Sequence, residues 1–334
     1  MEKKILFRVE AGGNVGLGHF YRSYNLALSL RRINYFVTFV HLKSSFWDKI
    51  KDFEFEHIEL NSNHPNKNMF DLCLKKKFEL LYVDSIIEIN EKYINKLDGK
   101  TKIIFYQNIS ESRHLADVFI LPSIHQEKPF FEKFNLSKVK IFQGLKYFTF
   151  NSKVSELKSK QIDDIGRLTR IGIICGGSDP KNVMLLIFKM IDYNKWSDLS
   201  FYFYYGDNYM HHNTLPEIYP NNVNFSPYNL ECINKNDVLI ASFGVSTYEF
   251  MALGMPIISV GHEKANANAS QILKDKTKSI YHLGFIDSLT SKKLNKTIGK
   301  FVIDLKIRKK LIKKATKIID LKGINRVVSI IENI

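Results

Sequence analysis

The stretch "FRVEAGGNVGLGHFYRSYNLALSL", Phe7 to Leu30, decides how the rest of the chain is read. An apolar, β-rich start runs into Gly12, Gly13, Gly16 and Gly18, and apolar residues at helical spacing follow. Strand, glycine loop and helix in that order form the opening unit of a doubly wound α/β domain. The loop is not a dinucleotide fingerprint. From Gly16 it reads G-L-G-H-F-Y, with Tyr21 where a third small residue is required, and the second apolar run ends "VHLKSS" with no acidic residue. No Gly-Lys-Ser/Thr follows at Walker spacing either. What remains is a loop whose backbone can approach a ligand closely, leading into a helix whose free N–H groups suit anions. His19 then falls in the first helical turn. There the helix dipole disfavours imidazolium, so His19 is expected to be neutral and able to accept a proton. Arg22 is three residues on, on the same helical face.

The same grammar repeats along the chain. Short apolar runs at 5–9, 35–42, 79–84, 102–106 and 118–122, then at 170–175, 199–205, 237–241, 256–260 and 279–283, alternate with helical segments. Such runs suit parallel strands covered on both faces. With 334 residues, the pattern predicts two Rossmann-like doubly wound domains facing a cleft. The expected boundaries are 1–150 for the first domain, 151–168 for a polar interdomain segment and 169–322 for the second. A closing helix at 323–334 is expected to pack back on the first domain.

The second half carries two further loops. "CGGSDPKN" contains Gly176, Gly177 and Ser178 directly after a strand, and "ASFGVSTYEFMALGMP" offers Gly244 for the turn and Ser246 and Thr247 at a helix start. Amides and hydroxyls there suit phosphate oxygens, and Glu249 can accept both hydroxyls of a ribose. Read alone, Ser246-x-x-Glu249 also matches a capping box, which would make Glu249 structural.

Net charge is +15, which favours an acidic partner. Between Lys292 and Lys322 there are twelve Lys/Arg and two Asp. "LIKKATKII" sets Leu311, Ile312, Ala315, Ile318 and Ile319 on one helical face with lysines opposite. One reading is a solvated lysine face, the other a weak association with a membrane surface. No aromatic RNA-binding signature accompanies the charge, so nucleic acid is not an expected partner. The cysteines, Cys73, Cys175 and Cys232, suggest neither disulfides nor a metal knuckle. No run reaches the length of a membrane span, and the N-terminus reads as a first strand, so the expectation is a cytoplasmic protein.

Taken together, these motifs resemble the UDP-sugar hydrolase family of pseudaminic acid biosynthesis and its spore-coat-polysaccharide relatives. The resemblance is carried by Arg8, then Gly16, Gly18, His19 and Arg22 before Leu26 and Ala27. It continues through "YVDS" with Asp84, "IFQGLKYFTF" with Tyr147, "GGSDPKN" and "SFGVSTYEFMALGMP". The counterpart of the family's Asn-Gln pair is "HEKANANASQ", with Asn266, Asn268 and Gln271 as candidates. The resemblance implies a glycosyltransferase-B-like fold related to the MurG type and hydrolysis of a UDP-linked amino sugar to free sugar and UDP. It makes His19 the catalytic base, with Asp84 orienting it or a sugar hydroxyl. Arg8, Arg22, Tyr147, the glycine-loop residues and the asparagines are then substrate contacts. No cofactor and no metal is expected. Two alternatives stand beside hydrolysis: an inverting glycosyltransferase on the same fold, and a non-catalytic nucleotide-sugar-binding subunit.

Overall fold

The computed structural model describes residues 3–12, 17–150, 152–157, 159–206 and 208–334. The chain folds into two compact α/β units, one of residues 1–152 and 321–334, the other of residues 153–320.

In the first unit the strands are β1 (Lys3–Val9), β2 (Tyr35–His41), β3 (Glu56–Glu59), β4 (Leu80–Asp84), β5 (Lys102–Tyr106), β6 (Val118–Leu121) and β7 (Lys140–Gln143). They lie in the order β3-β2-β1-β4-β5-β6-β7, and every pair is parallel. The order reverses between β1 and β4. The carboxyl ends of those two strands, with Val9 opposite Asp84, are therefore the topological switch point, where open α/β sheets bind ligands.

The second unit repeats the plan with β8 (Arg170–Ile174), β9 (Ser200–Tyr205), β10 (Val223–Pro227), β11 (Val238–Ser242), β12 (Ile257–Gly261) and β13 (Tyr281–Phe285). Its order is β10-β9-β8-β11-β12-β13, again parallel. Its switch point lies between β8 and β11, the strands that precede the two glycine loops. Helices of two turns or more are α1 (Gly18–Arg31), α2 (Pro65–Lys76), α3 (Val183–Met190), α4 (Val245–Ala252), α5 (Lys264–Thr277), α6 (Ser291–Ile303), α7 (Leu305–Ala315) and α8 (Gly323–Glu332).

The central strands are buried on both faces, as their unbroken apolar runs require: Ile5, Leu6, Phe7, Leu81, Tyr82 and Val83 are all fully enclosed. One face of the first sheet packs against α1 and α8. Leu26, Ala27 and Leu30 of α1 share a core with Ile324, Val327 and Ile331 of α8. The polar stretch expected to separate the domains is instead part of the second unit from residue 153 onward. Ser159 Oγ donates to Ala252 O at 2.9 Å, Lys160 N to Leu253 O at 2.8 Å, and Arg308 Nη1 to Gly166 O at 2.8 Å. A side chain and backbone groups of the stretch make these bonds with the second unit, so low apolar content does not mark it as a free connector.

The closing helix begins where the backbone passes against Phe148. A Cβ on Gly323 would lie 1.8 Å from Phe148 O. We expect Gly323→Ala to destabilise the protein by about 1–3 kcal/mol through this clash. Gly166→Ala, where a Cβ meets no atom within 4 Å, should be close to neutral. Chemical denaturation of the two variants checks this, and equal stabilities would mean that α8 is not held by that close approach.

Candidate functional site

At the switch point of the first unit, α1 and β4 bring three polar side chains together. α1 starts at Gly18 with Leu17 as its N-cap residue and no side-chain cap, so its first-turn N–H groups are unsatisfied by side chains. His19 sits in that turn with its side chain about 20% exposed. One turn on, Arg22 and Ser23 point inward and are buried. All three reach Asp84, the last residue of β4, which is fully enclosed. His19 Nδ1 lies 2.7 Å from Asp84 Oδ1. Arg22 Nε donates to Oδ2 at 2.6 Å while its Nη2 contacts Oδ1, and Ser23 Oγ donates to Oδ2 at 2.9 Å.

Burial alone would push the Asp84 carboxyl up. The adjacent Arg22 charge and hydrogen bonds, with a further contribution from His19, outweigh it and hold the group at about 2. Asp84 is therefore an anion and accepts only. That assigns the proton of His19 to Nδ1, leaving the Nε2 lone pair available. Arg22 Nη2 also approaches His19 Nδ1, at 2.8 Å. With Nδ1 carrying its proton, that approach is a contact between two donors that share the carboxylate, not a hydrogen bond. Arg22 also stacks over the Tyr106 ring at 5.1 Å. The Tyr106 hydroxyl donates to Tyr147 O at 3.1 Å and accepts from Thr149 N at 3.0 Å.

Several expected contacts are placed differently. Arg22, expected to face a ligand, is spent on Asp84 beneath His19. Arg8 is buried and ion-paired with Glu10 at 2.5 Å, and burial pulls its guanidinium pKa down. Its Nε and Nη1 have no partner among the described residues. The Tyr147 ring packs edge-on against Phe142, with centroids 5.7 Å apart. Gly18 opens α1, and no atom lies within 4 Å of a Cβ built on it. Gly16 lies outside the described residues.

In the second unit, Gly176, Gly177 and Ser178 after β8 and Gly244 and Ser246 after β11 line one hollow of about 250 Å³. A Cβ on Gly176, Gly177 or Gly244 would meet nothing within 4 Å, so packing does not demand glycine there. Gly176 also has a φ of 95°, which side chains rarely adopt. Thr247 is fully buried, and its hydroxyl accepts the Gly244 N–H at 3.2 Å, so it closes the start of α4 and does not line the hollow. Because α4 begins at Val245, Glu249 lies beyond the first turn and is not part of a capping box. Its partly buried carboxylate has no side-chain partner among the described residues, and burial raises its pKa to about 7. Asn266 and Asn268 fall on opposite sides of α5. Asn266 Nδ2 donates to Phe243 O at 3.3 Å, Asn268 is exposed, and Gln271 Nε2 donates to Asp275 Oδ2 at 2.7 Å.

Two groups in the hollow escaped the sequence reading. His262, one residue past β12, lines it, and its Nδ1 lies 2.8 Å from Ser242 Oγ. Buried Asp179 accepts the N–H groups of Val183 at 2.8 Å and Met184 at 2.9 Å, capping α3. Asp179 was legible as an Asp-Pro turn before a helix. His262 carries no local signal, because strand order alone brings it beside Ser242. Among the described residues no group of three or more His, Cys, Asp or Glu is arranged to hold a metal ion, and no helix is long and apolar enough to cross a membrane.

No protein-family model matches the chain. An uncharacterized protein of Methanocaldococcus jannaschii is 26% identical over 275 residues, 76% of this chain and 55% of that protein. The UDP-2,4-diacetamido-2,4,6-trideoxy-beta-L-altropyranose hydrolase of Campylobacter jejuni is 25% identical over 189 residues, 55% of this chain and 64% of the hydrolase. The chain thus spans somewhat more than half the length of the curated relatives it matches. Among solved structures, MurG of Acinetobacter baumannii superposes with a TM-score of 0.68 at 11% identity, covering 99% of this chain and 100% of that one. The fold is glycosyltransferase-B-like.

Asp84→Asn leaves Arg22 buried without its counter-charge and should cost about 3–5 kcal/mol near neutral pH. The folded carboxyl titrates below its ordinary value, so its contribution is complete above 3.8 and disappears as pH falls through about 2. Denaturation of both proteins across that window should show the gap between them closing. A constant gap would mean that the Asp84 charge is not what stabilises the site.

Proposed function

We propose that the chain hydrolyses a UDP-linked acetamido deoxy sugar at its anomeric carbon, releasing free sugar and UDP in surface-glycan or nonulosonic acid biosynthesis. The observation that carries this reading is the pairing of His19 with ionised Asp84, which leaves Nε2 as a base at the mouth of α1. In this mechanism Nε2 takes a proton from water as its oxygen attacks the anomeric carbon, and Asp84 stabilises the imidazolium that forms. Attack opposite the leaving group inverts the configuration. The glycine amides at 176–177, the start of α4 and the Ser246 hydroxyl receive the diphosphate as its charge develops. His262 adds a ring donor to that set. With Ser242 donating to Nδ1, the remaining N–H at Nε2 is free to reach a phosphate oxygen. Glu249, a carboxylate lacking a partner, accepts the ribose hydroxyls. The matched stretch of the Campylobacter jejuni hydrolase supports the substrate class.

A second reading, transfer of the sugar to an acceptor hydroxyl by the same base, is favoured by the fold's likeness to transferases such as MurG. Incubation with UDP-sugar and no acceptor separates the two. Stoichiometric free reducing sugar and UDP support hydrolysis; UDP released only when an acceptor is added supports transfer. Nucleotide binding without UDP release under either condition would leave only a binding subunit.

His19→Asn should lower turnover by about 10²–10⁴-fold while UDP affinity stays unchanged. Near-full activity in that variant would remove His19 from the role of base.

Glu249 gives a proton-linked signature. Its folded pKa is raised from 4.5 to about 7, so the stability that Glu249 contributes to the ligand-free protein is complete below 4.5 and is lost as pH rises through 7. Ribose hydroxyls that donate to the carboxylate favour its charged form. UDP binding between those values should therefore release a proton, visible by calorimetry in buffers of different ionisation enthalpy. Glu249→Gln should abolish the release and weaken UDP by roughly 10–100-fold. Unchanged affinity and proton release would make Glu249 a structural residue.

A further inference from the structure

The basic C-terminal part of the second unit has a geometry that a merely solvated lysine face does not require. α7 buries Leu311, Ile312 and Ala315 and turns Lys306, Lys310, Lys313 and Lys314 to solvent. Those four lysines fall at i, i+4, i+7 and i+8, a single stripe. On α6, Lys292, Lys296 and Lys300 form a second stripe at i, i+4 and i+8, with Lys300 lying over the Tyr281 ring at 5.3 Å. Continued by i+11, that stripe reaches Ile303. None of these seven lysines is ion-paired among the described residues, although Lys274 and Lys278 of the neighbouring segment both reach Asp275. Neither helix carries an acidic residue. Asp304 between them is turned back to cap α7, accepting from Lys306 N at 2.9 Å and Ile307 N at 3.2 Å.

Where the two stripes meet, the chain exposes aliphatic surface. Ile303 is 86% exposed and Leu305 36%. The apolar stripe of α7 is already used by its own unit, so these two side chains are the hydrophobic groups left at the corner.

We propose that this corner docks on an anionic lipid surface, with the lysine stripes against the headgroups and Ile303 inserted at the acyl boundary. Charge complementarity selects a negatively charged partner. A protruding aliphatic side chain flanked by lysines, with no exposed aromatic ring in the stripes, suits lipid better than nucleic acid, where bases stack on aromatic residues. The attachment is peripheral and reversible, because it rests on one aliphatic corner and a set of screened charges.

The test is co-sedimentation of the full chain with phosphatidylcholine vesicles with and without phosphatidylglycerol, at low and high salt, with UDP binding as the check that each variant is folded. Binding is expected only to vesicles containing phosphatidylglycerol and should be lost at high salt. The triple variant K306E/K310E/K313E should reduce it by more than about a hundredfold, and Ile303→Asp by roughly tenfold, with UDP affinity unchanged in both. Failure of the wild-type chain to sediment, equal binding to neutral vesicles, or full retention by the triple variant would each overturn the proposal. Loss with the lysine variant but not with Ile303→Asp would overturn insertion at the corner. Salt-sensitive binding to single-stranded RNA with none to vesicles would assign the stripes to nucleic acid instead.

Discussion

A carboxylate at the end of a central strand, with no exposure to solvent, can remain ionised only if the protein supplies its counter-charge. Arg22 supplies it to Asp84, and much of the first unit's geometry follows. The guanidinium comes from α1 and the carboxylate from β4, so the pair ties helix to sheet at the switch point. Such a pair is weak evidence for stability, because two desolvated charges must be offset. Its stronger consequence is positional. With both Asp84 oxygens engaged by Arg22 and one also by Ser23, the remaining approach to Oδ1 is taken by His19, which holds the imidazole ring and its tautomer in place. The aromatic layer of Tyr82 and Tyr106 beneath the pair keeps water away.

The second unit is built on the opposite principle. Its glycine loops leave space instead of filling it, and its helix carboxylate, Glu249, has no side-chain partner among the described residues. A satisfied ion pair suits a group that must be rigid before anything binds. An open hollow suits a surface completed by a ligand. His262 sharpens the contrast: held through Nδ1 by Ser242, it offers one ring nitrogen to the hollow and adds a side-chain group to a site otherwise made largely of backbone. The nucleotide would thus be received by a flexible inventory of amides and hydroxyls, and the reacting water by a single oriented base.

Hydrolysis and transfer differ little in what they ask of these residues. Both need a neutral base, an anion-stabilising hollow and a ribose anchor, and the difference lies in whether water or an acceptor hydroxyl reaches Nε2. If the proposed docking holds, the lysine stripes would bring the proposed reaction beside lipid-linked material as well as soluble metabolites. That location is compatible with either reaction.

The alternation of short apolar runs with helical segments was enough to read two doubly wound units, because strands buried on both faces need unbroken apolar sequence. The three strands missed were β3, β7 and β10, all at sheet edges, where one side faces solvent and the apolar signal is diluted. The glycine loops and His19 were legible for a similar local reason: each depends on neighbours within a few residues. The partners of Arg22 and Thr247 were not legible, because sequence spacing says which helical face a side chain occupies but not what covers that face. Asp84 covers Arg22, and the start of α4 consumes Thr247. By itself the sequence determined the fold class and the place of His19 at the start of a helix, since these rest on local periodicity and backbone freedom. Tertiary structure decided which charges are paired, which carboxylate is left alone and that His262 joins the hollow, because long-range packing sets the desolvation and the partners on which those properties depend.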